Sequence, residues 1–591
     1  MRRSLLGLLF AWPWLTSAAA AAPVLPFDDV QVGMKGTGRT VFSGTDVESF
    51  DVEILAKLPN VGPDQNLILA RLSGGPLAET GVLAGMSGSP VFVGDRLVGA
   101  VAYSWGFSTE AIAGVTPIEE MLAVAELHEG GGMRAAALAP AGDELERLRS
   151  REPFDSFFDE LFAVVGRGAL APVALPLAVS GIGPDGLARL VPELRRVGFQ
   201  PLQSGGAGDA AEPAAPLEPG SAMGLKLVRG DLDMTATGTV TWVEGDRLIG
   251  LGHPLFGLGS VDLPMTGARV QALLPNLRQS ARIATPQAEI GALRQDRAAG
   301  VLGLVGASPR MIPVRLQLTG GAVADHEFSF DIADDPLLSP LLLYMSLNGV
   351  LASKERAFGT ATVRLRQGSV IKLLDGPDVE LDNLFAGPAA FDYGTGIAAY
   401  ILYLLMNNTW TQPQIVGVNL LLDFEDTPRT ARIRRAAIDR YRVAAGESVE
   451  VTVVLSPYRG PDQKVTREIQ VPPETRPGKI TLAIGGALAI GRTVDHEEPL
   501  LPRDLDQLIW LINQLRRNDR IYILATHDDA GVLLGGARLP NLPPSVASVL
   551  TRPRSSGNYS YIPQRSILEE IVPTEYAVEG AARIQLEVEP R

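Results

Sequence analysis

The chain has 591 residues, room for about three to five domains, and is 46% hydrophobic against 20% charged, so it can bury large cores and is not disordered as a whole. A net charge of −15 with no basic stripe argues against a nucleic-acid partner. With no cysteine, thiol nucleophiles, thiolate metal sites, iron–sulfur clusters and disulfides are excluded, and with five histidines every candidate base can be weighed individually.

The chain opens with Arg2 and Arg3, a short apolar stretch over 5–15, and small residues over 17–22. This pattern predicts a secretory signal peptide over 1–22, cleaved near Ala21 to Pro23. The stretch is too short to span a bilayer, so the expectation is an exported protein, periplasmic or extracellular, with no stable membrane span after cleavage. Stability outside the cytoplasm must then come from packing alone.

Residues 27–125 read as short strands. Phe50, Val52, Ile54, Ala56 and Leu58 alternate with Asp51, Glu53, Leu55 and Lys57, the period of a half-buried strand. Residues 67–72 form another, and 91–93 and 96–103 form a hairpin about Gly94-Asp95. A helical stretch over 140–163 and a Gly/Ala/Pro-rich linker over 203–221 follow. Strands return over 222–325, with a second hairpin about Gly245-Asp246. Gly94-Asp95-Arg96-Leu97-Val98-Gly99 matches Gly245-Asp246-Arg247-Leu248-Ile249-Gly250, through duplication or through shared turn chemistry. Residues 397–406 predict a buried helix, 430–485 a small β-sandwich, and 505–515 a helix ahead of a strand at 521–526.

A nucleophilic serine needs a tight loop whose backbone N–H groups converge, and glycines on both sides permit that approach. Gly85-Met86-Ser87-Gly88-Ser89-Pro90 offers this, with the N–H groups of Gly85 and Ser87 as oxyanion donors; the same residues also suit a plain small-residue turn. A serine requires a base. His128, His326, His496 and His527 read as solvated surface histidines. His253 stands apart in the apolar, Gly-flanked run Leu251-Gly252-His253-Pro254-Leu255-Phe256-Gly257, where a satisfied core histidine is the competing reading. No spacing suggests a metal site, a phosphate loop or a cofactor.

Residues 34–121 resemble the SpoIVB peptidase family of serine peptidases. The resemblance is carried by Gly33-Met34-Lys35-Gly36-Thr37-Gly38, by Phe50-Asp51-Val52-Glu53-Ile54, by Thr80-Gly81 leading into the 85–90 motif, and by Gly114-Val115-Thr116-Pro117-Ile118-Glu119. It implies a trypsin-like double β-barrel with a serine, a histidine and an acid. The family's serine falls on Ser87, and its Gly-His context matches Gly252-His253. In the family the histidine half precedes the serine half; here Ser87 comes first, so the resemblance implies permuted barrels, which a triad defined by geometry tolerates. The family's aspartate before the serine motif has no counterpart in Arg71-Leu72-Ser73-Gly74-Gly75; Asp262 and Asp296 are the candidate orienting acids, with a Ser–His dyad as the alternative.

The expected architecture is mainly β: a permuted trypsin-like double β-barrel, then mixed α/β and β-sandwich modules. The expected divisions are a signal peptide (1–22), serine-bearing barrel (27–125), helical segment and linker (126–221), histidine-bearing barrel (222–329), mixed module (330–428), sandwich (429–490) and C-terminal α/β module (491–591). The leading function is an exported serine endopeptidase on protein or peptide substrates, with the C-terminal modules available to a protein partner. The rivals are a non-catalytic binding or scaffold protein on a degenerate peptidase fold, and a peptidase that mainly processes itself.

Overall fold

The computed structural model describes residues 23–590, apart from 106–107, 128–147, 149–153, 166–171, 206–211, 321–324, 355–358, 495–501, 528–530, 535–536, 541–545, 547–558 and 563–564. The expected signal peptide, His128, His496 and much of the 140–163 stretch lie outside the described residues. The described part is mainly β.

Six strands, β1 (Lys35–Thr40), β2 (Glu48–Gly62), β3 (Gln65–Ser73), β4 (Pro90–Val93), β5 (Arg96–Ser104) and β6 (Ile112–Pro117), form a closed barrel in the order β1-β2-β3-β6-β5-β4. The alternation in β2 sends Phe50, Val52 and Ile54 inward, where they are buried. It does not continue to Leu58, which is 38% exposed, because the pairing of β2 with β3 slips between Ile54 and Ala56. A bulge of this kind switches the side chains beyond it to the other face.

The next strands are β7 (Leu175–Ser180), β8 (Phe199–Gln203), β9 (Ala222–Gly230), β10 (Asp233–Glu244), β11 (Arg247–Gly250), β12 (Gly259–Leu274), β13 (Ala281–Arg297) and β14 (Gly300–Val305). Because β9 pairs with both β10 and β12, six of them close into a second ring, β9-β12-β13-β14-β11-β10. Aligned on their Gly-Asp-Arg-Leu hairpins, the two rings have the same neighbour order. The chain visits them differently: β2–β3 precedes the β4–β5 hairpin in the first, whereas β10–β11 precedes β12–β13 in the second. The stretch expected to be only helix and linker also contributes sheet. Strand β7 pairs antiparallel with β10 and parallel with β8, the two joined by helix Pro184–Arg196.

The second ring opens outward into a larger sheet through His326–Ala333, Met311–Gly320 and Ile415–Glu425, the last two parallel. Helices Leu338–Lys354 and Ala390–Met406 share one core with it. The second is apolar on nearly every side and buried to match, with Tyr400 and Tyr403 edge-on to Phe157. Residues 430–589 form three further sheets among the described residues, two of them around a core that includes Val451, Leu482, Ile523 and Leu586, and a third of Gly531–Leu534, Ala537–Pro540 and Tyr559–Ile562. The sandwich expected over 429–490 draws strands from beyond it: Ala577–Glu579 pairs with Thr430–Ile438, and Ala581–Glu589 and Arg520–His527 flank Gly478–Gly485. Among the described residues no helix is long and apolar enough to cross a membrane.

Candidate active site

The two matching hairpins meet. Phe92, Leu97 and Ala100 of the first pack with Trp242 and Ile249 of the second, with Leu302 and with Ile118 and Met121 of helix Ile118–Glu126. Gly94 and Gly245 hold nearly the same left-handed φ, 64° and 62°, so the shared turn sequence makes a shared turn. Ser87 lies just before the first hairpin and His253 just after the second, so hairpin packing draws both into the seam.

The serine loop is fixed from within and from across the seam. Met86 N–H donates to Leu83 O (3.0 Å), Ser89 N–H to Met86 O (2.9 Å) and Gly88 N–H to Val101 O (2.7 Å). From β10, Thr239 N–H donates to Ser87 O (2.8 Å), Thr239 Oγ1 to Gly85 O (3.0 Å) and Thr241 Oγ1 to Gly88 O (2.8 Å). Gly88 has φ +94°, and a Cβ there would sit 1.8 Å from Thr239 O and 2.6 Å from Leu251 N. Gly252 is pressed against the same stretch of β5: a Cβ on it would lie 3.1 Å from Ala102 Cβ and 3.4 Å from Ala100 Cβ. Its carbonyl accepts a bond from Thr116 Oγ1 at 2.6 Å. Leu251, with φ +69°, takes a left-handed conformation that a bulky residue adopts only at a cost.

Ser87 is 0% and His253 1% exposed. Among the described residues neither Ser87 Oγ nor His253 Nε2 has a hydrogen-bond partner, so the two are not bonded to each other. The N–H groups of Gly85 and Ser87, the expected oxyanion donors, likewise have no acceptor among the described residues. His253 Nδ1 lies 2.7 Å from Pro254 O. A carbonyl only accepts, so Nδ1 carries the proton and the lone pair sits on Nε2. Burial lowers the ring's pKa to about 4, which keeps it neutral at pH 7.

Neither candidate acid meets the ring. Asp262 pairs with Arg294 at 2.6 Å and accepts Arg310 N–H at 2.9 Å. Asp296 is fully buried and accepts the backbone N–H groups of Leu255, Phe256, Gly257 and Leu258 at 2.7, 2.8, 2.8 and 3.3 Å. It grips the loop that presents the Pro254 carbonyl, and so acts on His253 through the backbone. Of the other histidines, His326 begins a strand and is partly exposed, whereas His527 ends Arg520–His527 and is buried, not solvated as its acidic neighbours suggest. Among the described residues no group of three or more acids and histidines is placed to hold a metal.

A cleft of about 640 Å³, lined by Arg71, Thr80, Trp105, Glu110, Leu277 and Ser280, has neither Ser87 nor His253 in its wall. It is connected to the serine loop by Ser280, whose Oγ donates to Thr80 O (2.7 Å) and whose carbonyl accepts Ala84 N–H (2.8 Å). Sequence reasoning missed Arg282, a fully buried side chain from β13 bonded to Thr40 and Thr239 beside the serine loop. Its strand neighbours carry no mark of a site, and its partners lie far away in the chain.

Residues 16–122 match the family model described as SpoIVB peptidase S55. The first barrel is thus the part of the chain that is similar to the SpoIVB peptidase S55 family. The match takes in all six of its strands and Ser87, covers about a fifth of the chain, and ends well before His253. At the family level the likeness is to a peptidase. Comparison with curated proteins and with solved structures found no match.

Proposed function

We propose that the chain is an exported serine endopeptidase in which Ser87 is the nucleophile and His253 its base, working as a dyad across the seam between the two barrels. On this reading the family's histidine half follows its serine half in this chain. Ser87 Oγ bonds to the scissile carbonyl carbon while its proton passes to His253 Nε2, and the carbonyl electron pair moves onto oxygen, towards the N–H groups of Gly85 and Ser87. As the tetrahedral adduct collapses, the C–N bond breaks, the amine leaves with the proton from Nε2, and an acyl-Ser87 remains. Water, deprotonated by the same nitrogen, then releases the acid product. The Pro254 carbonyl does what an orienting carboxylate does elsewhere: it holds the ring in the tautomer that leaves Nε2 basic.

The observation that carries this reading is the coincidence of four groups unused among the described residues, the Ser87 hydroxyl, the Nε2 lone pair and two backbone N–H donors, in one buried seam. Buried polar groups are normally satisfied, and unsatisfied ones concentrate where function needs them. The pair is also sealed, so acylation requires the seam to open. The charged start, apolar stretch and alanine run over 1–22 support export. Substrates are protein or peptide chains, no cofactor is required, and the sheets of 430–589 offer surface to a protein partner.

The sealing favours one second reading, a non-catalytic binding module on the same barrels, in which Ser87 and His253 are packing residues. Cleavage of casein by the purified mature protein separates the two. Ser87→Ala should lower the rate by about four to six orders of magnitude without loss of fold. Equal cleavage by both proteins, or none by either, would favour the binding module.

A further inference from the structure

Arg282 is buried completely, and among the described residues no carboxylate pairs with it. Nη1 donates to Thr40 Oγ1 (3.1 Å) and Val41 O (3.0 Å), and Nη2 to Thr239 Oγ1 (2.8 Å), while Nε has no acceptor among the described residues. Every partner is neutral. A charge buried without a counter-ion is among the costliest things a fold can hold. Burial pulls the guanidinium's pKa down to about 9, which still leaves it charged at pH 7.

Its position is specific. A Cβ on Gly85 would lie 3.0 Å from Arg282 Nε and 3.2 Å from Nη2, so the cation rests directly on the residue that supplies one oxyanion donor. It also links the two hydroxyls that set the loop: Thr239 Oγ1 donates to Gly85 O, and Thr40 Oγ1 accepts from Ser89 Oγ at 3.1 Å. Three neutral acceptors could be served by a neutral donor; a permanent charge is superfluous unless negative charge arrives beside it.

We propose that Arg282 is an electrostatic positioning residue for the oxyanion, its uncompensated charge balanced only when the tetrahedral adduct on Ser87 places an anionic oxygen at Gly85 and Ser87. The inference rests on the Ser87–His253 reading and adds a selectivity: the site favours anionic tetrahedral species over the neutral carbonyl from which they form. The effect belongs to the transition state, so it appears in kcat more than in KM.

The test compares Arg282→Met, Arg282→Gln and Arg282→Lys with wild type in three readouts: kcat and KM on a peptide substrate, affinity for a peptide boronic acid (which forms an anionic tetrahedral adduct with serine), and affinity for the same peptide lacking the boronate. The neutral replacements should lose about 100-fold in kcat and a similar factor in boronate affinity, while KM and plain-peptide affinity move less than threefold. Arg282→Lys should recover about tenfold of each loss. A folded Arg282→Met protein with wild-type kcat and boronate affinity overturns the proposal, as does equal activity in Arg282→Lys and Arg282→Gln. If none of the three folds, the guanidinium is a structural strut and the proposal falls. A wild-type protein with no activity and no boronate binding indicts the Ser87–His253 reading instead.

Discussion

The buried, neutral state of His253 gives the seam a dependence on pH whose sign and size follow from the structure. In an unfolded chain the ring takes up a proton near pH 6.5; in the folded seam it does so only near pH 4. Between those values the opened state binds more protons, so stability rises with pH across that window and is flat above it. The gap of about two and a half pH units corresponds to about 3 kcal/mol lost at pH 4 relative to pH 7, with no discount for solvent because the ring is sealed. Hydrogen exchange of backbone amides over 246–258, compared between wild type and His253→Gln at each pH, isolates this contribution, since other groups titrate in both proteins. Protection of wild type relative to the variant should be constant above pH 6.5. It should then shrink by a factor of about 100–200 in opening equilibrium as the pH falls to 4. Parallel profiles in the two proteins would mean that His253 is not held neutral in the seam.

Three further outcomes are expected. Gly88→Ala places a Cβ within 1.8 Å of the Thr239 carbonyl at a φ of +94°, and neither backbone can yield cheaply; the barrels should separate or the protein fail to fold, read as lost labelling of Ser87 together with a thermal midpoint several degrees lower. Asp296→Asn turns an amide onto loop N–H groups that need acceptors, at about 1–3 kcal/mol for each one left unsatisfied; exchange over 254–258 should quicken and kcat fall at least tenfold, and unchanged exchange would show that the carboxylate does not hold the loop. Protein recovered from outside the cytoplasm should begin between Ala18 and Pro23, and an intact Met1 would contradict signal cleavage.

The parts of the site that were legible in the sequence are those written in local chemistry. Glycines around Ser87 announce a sharp loop, and the same turn residues in two hairpins announce two similar turns; the structure builds both. The histidine stood out because an imidazole between glycines in an apolar run has few neighbours to satisfy it. The acid was not legible in this way. Asp262 and Asp296 are candidates only because they follow His253 in the chain, and only the fold reveals that four backbone amides, and not the ring, donate to the Asp296 carboxylate. Arg282 was invisible for the same reason: its partners Thr40, Val41 and Thr239 come together only when β1, β10 and β13 do. Module boundaries suffered likewise, since β7 and Ala577–Glu579 join sheets whose other strands lie far along the chain, and pairing partners are not encoded in a strand's own pattern.

The dyad is tested most directly by treating the purified mature protein with a fluorophosphonate and locating the adduct by mass spectrometry. A single adduct on Ser87 is expected. It should be absent in Ser87→Ala, slowed by at least three orders of magnitude in His253→Gln and retained in Ser89→Ala. Because the seam must open first, the labelling rate should level off at high probe concentration, with the same plateau for probes of different leaving group. Unmodified Ser87 in wild-type protein, or labelling that proceeds equally well without the His253 imidazole, would contradict it.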